Sequence, residues 1–138
     1  MDETLLGIHH VAINVRNVER SVQWYTEVLG FEPLFPYDTD EFTRRILRHD
    51  SGVVLGITKH NHADADTEFS ERRTGLDHIA FAVASQADLE GWVARLDAAG
   101  VTHSGIAITP ATGSALIAFR DPDNIQLEMY VAHGATAR

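Results

Sequence analysis

The sequence predicts an α+β protein built from two tandem βαβββ modules. Three observations point to it. The stretch "GIHHVAINV" (residues 7–15) is repeated as "GLDHIAFAV" (residues 75–83), with Gly7/Gly75, His10/His78, Ala12/Ala80 and Val15/Val83 identical at a constant spacing of 68 residues. Trp24 and Trp92 keep the same spacing. In each copy the apolar pattern alternates first, then recurs at helical spacing, then alternates again.

The opening strand of each copy has two unlike faces. Val11, Ile13 and Val15 share one face in the first copy, and His10, Ala12 and Asn14 share the other. In the second, Ile79, Phe81 and Val83 oppose His78, Ala80 and Ala82. The branched and aromatic face suits packing against a helix. The other sets a histidine among small residues, which leaves space beside it.

A helix follows each strand. Asn17 is a fitting N-cap for the first, with Val18, Val22, Tyr25 and Leu29 as its apolar stripe and Gly30 as its stop. Ser85 with Asp88 makes a capping-box pattern for the second, whose stripe is Leu89, Val93 and Leu96, ending near Gly100. Short strands are then expected at about 31–37, 42–48 and 52–58 in the first copy, and at about 101–104, 114–120 and 125–131 in the second. Module 1 thus spans about 5–58 and module 2 about 75–133, within a single domain of 138 residues. The polar run "KHNHADADTEFSERRT", about 59–74, connects them.

The last strand is introduced by a turn. In "RDPDNIQLEMY" (residues 120–130), Asp121, Pro122, Asp123 and Asn124 are turn residues. Beyond it Ile125, Leu127 and Met129 share one face, and Gln126, Glu128 and Tyr130 the other. A glutamate in mid-strand needs either water or a partner.

Composition narrows the function. The chain has no cysteine, which excludes disulfides and thiolate metal sites. A formal charge of −9 argues against nucleic acid and gives no reason to expect an anionic membrane surface. The acidic N-terminus lacks the pattern of a signal peptide, and no run is apolar enough to span a bilayer, so a cytoplasmic location is expected. Eight histidines remain as candidate ligands.

His10 and His78, equivalent in the repeat, should project from the same side of a cupped sheet, with Glu128 on the matching face of the last strand. Singly, a histidine is more often structural than ligating, and a strand glutamate is more often solvated. Together, two imidazoles and a carboxylate suit Fe, Mn, Zn, Ni or Co as a divalent ion and leave coordination positions open. His9 should point away from His10 by strand alternation. His103 is a candidate auxiliary acid or base, and His60 and His62 belong to the connector; His49 and His133 have no expected role. Arg44, Arg45, Arg72 and Arg73 are candidate contacts for an anionic substrate. Phe42, Phe69, Phe119 and Tyr130 are candidate pocket walls.

The segments "IHHVAINVRNVERSVQWYTEVLGF", "LDHIAFAV" and "FRDPDNIQLE", in this order over nearly the whole chain, resemble the vicinal-oxygen-chelate superfamily of glyoxalases, bleomycin-resistance proteins and extradiol dioxygenases. The resemblance implies a curved, mostly antiparallel sheet around a metal-binding cavity, often in a homodimer. It also implies His10, His78 and Glu128 as metal ligands, with Glu128 also catalytic. The implied function is a metalloenzyme that chelates a small substrate through vicinal oxygens, in lyase, isomerase or ring-cleaving dioxygenase chemistry. The alternative is a non-catalytic binder of a small molecule or antibiotic.

Three departures stand out. Aligning "SGVVLGITK" with "DNIQLEMYV" sets Gly56 against Glu128, where glyoxalase I-like sites have a fourth ligand. Ala12 stands where fosfomycin transferases have threonine. The approximate equivalent of the dioxygenase tyrosine falls near Ala118.

Overall fold

The computed structural model describes residues 3–132. His133 and the expected end of module 2 therefore lie outside the described residues. The fold is α+β, a βαβββ module used twice. The chain divides into two compact units, one ending at Thr67 and the other starting at Glu68.

In the first unit β1 (Val11–Asn14) is followed by α1 (Val18–Leu29), β2 (Glu32–Pro36), β3 (Phe42–Arg48) and β4 (Val54–His60). The sheet order is β1-β4-β3-β2. β1 runs parallel to β4, and the other pairs are antiparallel. Helix α1 starts where expected, because the Asn17 side chain accepts a hydrogen bond from the Arg20 amide at 3.0 Å. Such a cap is worth about 1 kcal/mol. It stops at Gly30, whose φ of 84° is left-handed and favours a residue without Cβ. The helix buries Val18, Tyr25, Val28 and Leu29 over the β-face that carries Ile13, Leu47, Leu55 and Ile57. Val22 of the expected stripe is only half-buried.

The second unit repeats the plan with β5 (His78–Val83), α2 (Gln86–Ala98), β6 (Ala107–Ile108), β7 (Ala115–Arg120) and β8 (Gln126–Val131), in the order β5-β8-β7-β6. Ser85 caps α2 by accepting from the Asp88 amide at 3.1 Å. Leu89 and Leu96 are fully buried, and so are Ile117, Leu127 and, nearly, Phe119 and Met129 on the sheet. The turn before β8 is held by Asp121, whose Oδ1 accepts from the amides of Asp123 and Ile125, each at 2.9 Å.

Two expectations shift. No strand occupies 101–104. His103 makes an isolated bridge to Phe119, then Gly105 turns left-handed at φ 73° and breaks the ladder, and β6 begins only at Ala107. The connector is also less irregular than its composition indicates. β4 runs on to His60, and a 3-10 turn at Ala63–Asp66 follows, its first amides capped by His62.

Candidate functional site

The register of the second unit sets one face of its sheet. Ala80 pairs with Glu128 and Glu128 with Ala118, so the carboxylate stands between two methyl groups. His78, Gln126 and Arg120 form the neighbouring rung. The opposite face carries Ile79, Leu127 and Phe119, which pack under α2. Alternation explains the division, since the apolar set has to leave water and the polar set does not.

His78 Nε2 lies 3.5 Å from Glu128 Oε2. That is long for a hydrogen bond between them. It is close to the roughly 3.0–3.4 Å that separates neighbouring donor atoms about 2.1 Å from one ion. Each of the two side chains is oriented from behind. Asp77 Oδ1 lies 2.7 Å from His78 Nδ1, which fixes the Nδ1–H tautomer and leaves the Nε2 lone pair free. Gln126 Nε2 donates to Glu128 Oε1 at 3.3 Å. These donors fit a divalent cation.

The same face ends in a bidentate ion pair. Arg120 donates to both carboxylate oxygens of Glu71, at 3.1 and 3.0 Å, and to the Asn124 carbonyl at 3.0 Å. The Arg120 bonds hold the Glu71 carboxyl down at about 2, and its own backbone amide adds to the effect. Arg120 is thus engaged within the protein.

In the first unit Ala12 pairs with Gly56, as Ala80 pairs with Glu128 in the second. The two registers make Gly56 the counterpart of Glu128. His10 precedes β1 and is exposed. Its Nδ1 lies 2.8 Å from His9 Nδ1, and the rings meet edge to face. His9 therefore does not point away from His10. The strand begins only at Val11, so alternation does not reach residue 9. One nitrogen of the contact carries the proton, and His10 Nε2 stays unengaged.

His103 sits on the other face of the second sheet. It bridges Phe119, its Nε2 lies 2.7 Å from Asp97 Oδ1 on α2, and its Nδ1 accepts from the Gly105 amide at 3.0 Å. Both ring nitrogens are engaged away from Glu128, a structural part rather than an acid–base one. Phe119 is likewise core, 3% exposed, and not a wall of the site. Asp77 and Gln126 were not singled out in the sequence. The repeat held the signal for Asp77, since His9 and Asp77 share the 68-residue spacing of the histidines they touch. Among the described residues no group of three or more His, Cys, Asp or Glu side chains is placed to hold a metal ion.

The Glyoxalase/Bleomycin resistance protein/Dioxygenase superfamily model matches residues 7–129. The chain belongs to this superfamily. A solved superfamily domain from Frankia sp. EAN1pec is 32% identical, with a TM-score of 0.83, over 93% of this chain and 98% of that one. The uncharacterized protein YwkD of Bacillus subtilis (strain 168) is 29% identical over 91% of this chain and 97% of its own length. Catechol-2,3-dioxygenase of the same organism is 31% identical over 94% of this chain, which spans 42% of the dioxygenase. No helix among the described residues is long and apolar enough to cross a membrane.

Proposed function

We propose that the protein is a metal-dependent enzyme that binds a small substrate through two neighbouring oxygens on a divalent ion held by His10, His78 and Glu128. The observation that carries this reading is the approach of His78 Nε2 and Glu128 Oε2 to 3.5 Å, with Asp77 behind the imidazole. Equivalence in the repeat adds His10, whose Nδ1 is likewise engaged by the residue before it. Superfamily membership supports the same donors. The ion supplies Lewis acidity toward the substrate's oxygens.

The chain's own residues do the rest. Glu128 is the anionic ligand, kept in place through Oε1 by Gln126. Ala80 and Ala118 beside it leave room for substrate where larger side chains would stand. Glu128 Oε1 is also the oxygen available to take a substrate proton, and a neutral amide at Gln126 does not compete for it.

The test is calorimetric titration of metal-free protein with Mn(II), Zn(II) and Co(II), for wild type and Glu128→Gln, with elemental analysis after chelator-free purification. One ion per chain is expected, with at least about tenfold weaker binding in the variant and an unchanged melting temperature of the metal-free form. Equal affinity in the two proteins would remove Glu128 from the site. If the metal-free protein binds aromatic or antibiotic ligands as tightly as the loaded protein, the chain is a binder and not an enzyme.

A further inference from the structure

The face of the second sheet that carries Glu128 changes character along its strands. At one end stands the rung of His78, Gln126 and Arg120, where Arg120 is occupied by Glu71. Glu128 follows, between Ala80 and Ala118. One rung further on, Tyr130 pairs with Ala82 on β5 and with Leu116 on β7. That rung carries no charge, and the phenol hydroxyl is its one polar side-chain group.

Alternation keeps Tyr130 and Leu116 out of the core. Ala115, Ile117 and Met129 beside them in sequence are buried, whereas Tyr130 and Leu116 are half-buried on the opposite face. The module does not require an apolar rung here. In the first sheet the equivalent rung, one step beyond Ala12 and Gly56, is Asn14, Thr58 and Arg44. In the second unit two large, mainly apolar side chains stand partly in water beside the candidate ligand. Such a surface gains by being covered, and its mix of apolar wall and few polar groups suits a small molecule.

We propose that Tyr130 is a specificity-determining residue of the substrate site. Its ring, with Leu116 and Ala82, takes the hydrocarbon part of a substrate whose oxygens are chelated at Glu128. Tyr130 follows Glu128 by two residues on β8, a step of roughly 6.5–7 Å. A short alkyl chain or one aromatic ring covers that step. The methyl groups of Ala82 and Ala118 leave the space in which it lies. The substrate class is then a vicinal-oxygen compound with an uncharged alkyl or aryl substituent. This inference rests on the proposed chelation for its placement, but the apolar surface itself does not need the metal.

The test compares 2-hydroxyhexanoate with glycolate on the Mn(II)-loaded full chain by calorimetry. Both chelate through the same hydroxyl and carboxylate, and only the first carries an alkyl chain. Wild type is expected to favour 2-hydroxyhexanoate by at least about tenfold. Tyr130→Ala should cut that preference at least about threefold while leaving affinity for glycolate and for Mn(II) unchanged. Tyr130→Phe should keep the preference, since the ring and not the hydroxyl carries it. Equal binding of the two acids by wild type, or a preference that survives in Tyr130→Ala, overturns the proposal. A loss in Tyr130→Phe as large as in Tyr130→Ala assigns the effect to the hydroxyl and overturns it as well. Should Tyr130→Ala not fold, Ala82→Gln decides in its place. It sets an amide in the same space from an exposed strand position, and it should reduce the preference. If Mn(II) itself does not bind, the chelation reading fails, and benzyl alcohol titrated into metal-free protein decides the rest by NMR. Shifts centred on Ala82, Leu116 and Tyr130 that Tyr130→Ala loses support the apolar surface, and no shifts there in wild type overturn it.

Discussion

Asp77 Oδ1 lies 2.7 Å from His78 Nδ1, and the Nε2 on the far side of the same ring faces Glu128. The neighbour in sequence thus sets the tautomer that a metal ligand requires. His9 occupies the same place beside His10.

Removal of this support has a defined expectation. Asp77→Ala should weaken Mn(II) or Zn(II) binding while leaving the fold intact, since residue 77 contributes nothing to the core. Losses from such partners run about 10- to 100-fold. The Asp77 side chain is 69% exposed, so water partly replaces it and the low end, about tenfold, is expected. Calorimetry on metal-free protein measures it. An unchanged affinity would mean that the imidazole orients without Asp77.

Acid should act through Glu71. Its carboxyl is held at about 2 in the folded chain, against an ordinary 4.5, by the bonds from Arg120. The unfolded chain therefore takes up this proton first as pH falls. The pair contributes fully above about pH 4.5 and loses its contribution progressively down to about pH 2. Melting temperatures of wild type and Glu71→Gln, taken from pH 2 to 7, should differ most at the neutral end and converge near pH 2. A gap constant with pH would show that the pair's ionisation is not what stabilises.

The turn before β8 makes a stability prediction. Asn124 has φ 69°, the one left-handed residue other than glycine among those described, and its side-chain amide donates to the Phe69 carbonyl at 3.2 Å. Asn124→Ala loses both the tolerance of that backbone and the bond, about 2–3 kcal/mol in sum. Asn124→Gly keeps the backbone and loses only the bond, about 1 kcal/mol. Urea unfolding of both variants reads the order, and a glycine variant less stable than the alanine one would refute the account.

Much of this was legible in the sequence because it is local. Asn17, Gly30 and Ser85 mark helix ends by their own side chains or lack of one, and the 68-residue spacing displayed the module twice. The alternation of Ile125, Leu127 and Met129 with Gln126, Glu128 and Tyr130 needed only period two. What was missed depends on partners that are distant or on where a strand begins. His103 faces α2 because it bridges Phe119, a pairing 16 residues away that no local pattern encodes. His9 touches His10 because pairing starts at Val11. Arg44 differs from Arg45 only by strand parity, which decides whether a guanidinium reaches Thr58 or Asp38.

Gly56 offers the sharpest check on how the two units correspond. It pairs with Ala12 as Glu128 pairs with Ala80, and its backbone is ordinary strand, so a side chain is sterically admissible. A Cβ there would come 3.2 Å from the Ala12 Cβ and 3.7 Å from Ile46 Cδ1. Ala12 lies on the edge strand of its sheet and is exposed, so it can yield by a few tenths of an ångström. Gly56→Ala should therefore change stability by less than about 1 kcal/mol, the crowding being offset by the entropy that glycine loses on folding. Gly56→Glu places a second carboxylate where the repeat sets the first. On the proposed chelation it should bind Mn(II) more tightly than wild type and glycolate more weakly, an open position being filled. The alanine variant should leave both affinities unchanged, which separates charge from bulk. If Gly56→Glu folds like the alanine variant yet alters neither affinity, residue 56 does not border the metal and the correspondence with Glu128 is one of fold alone.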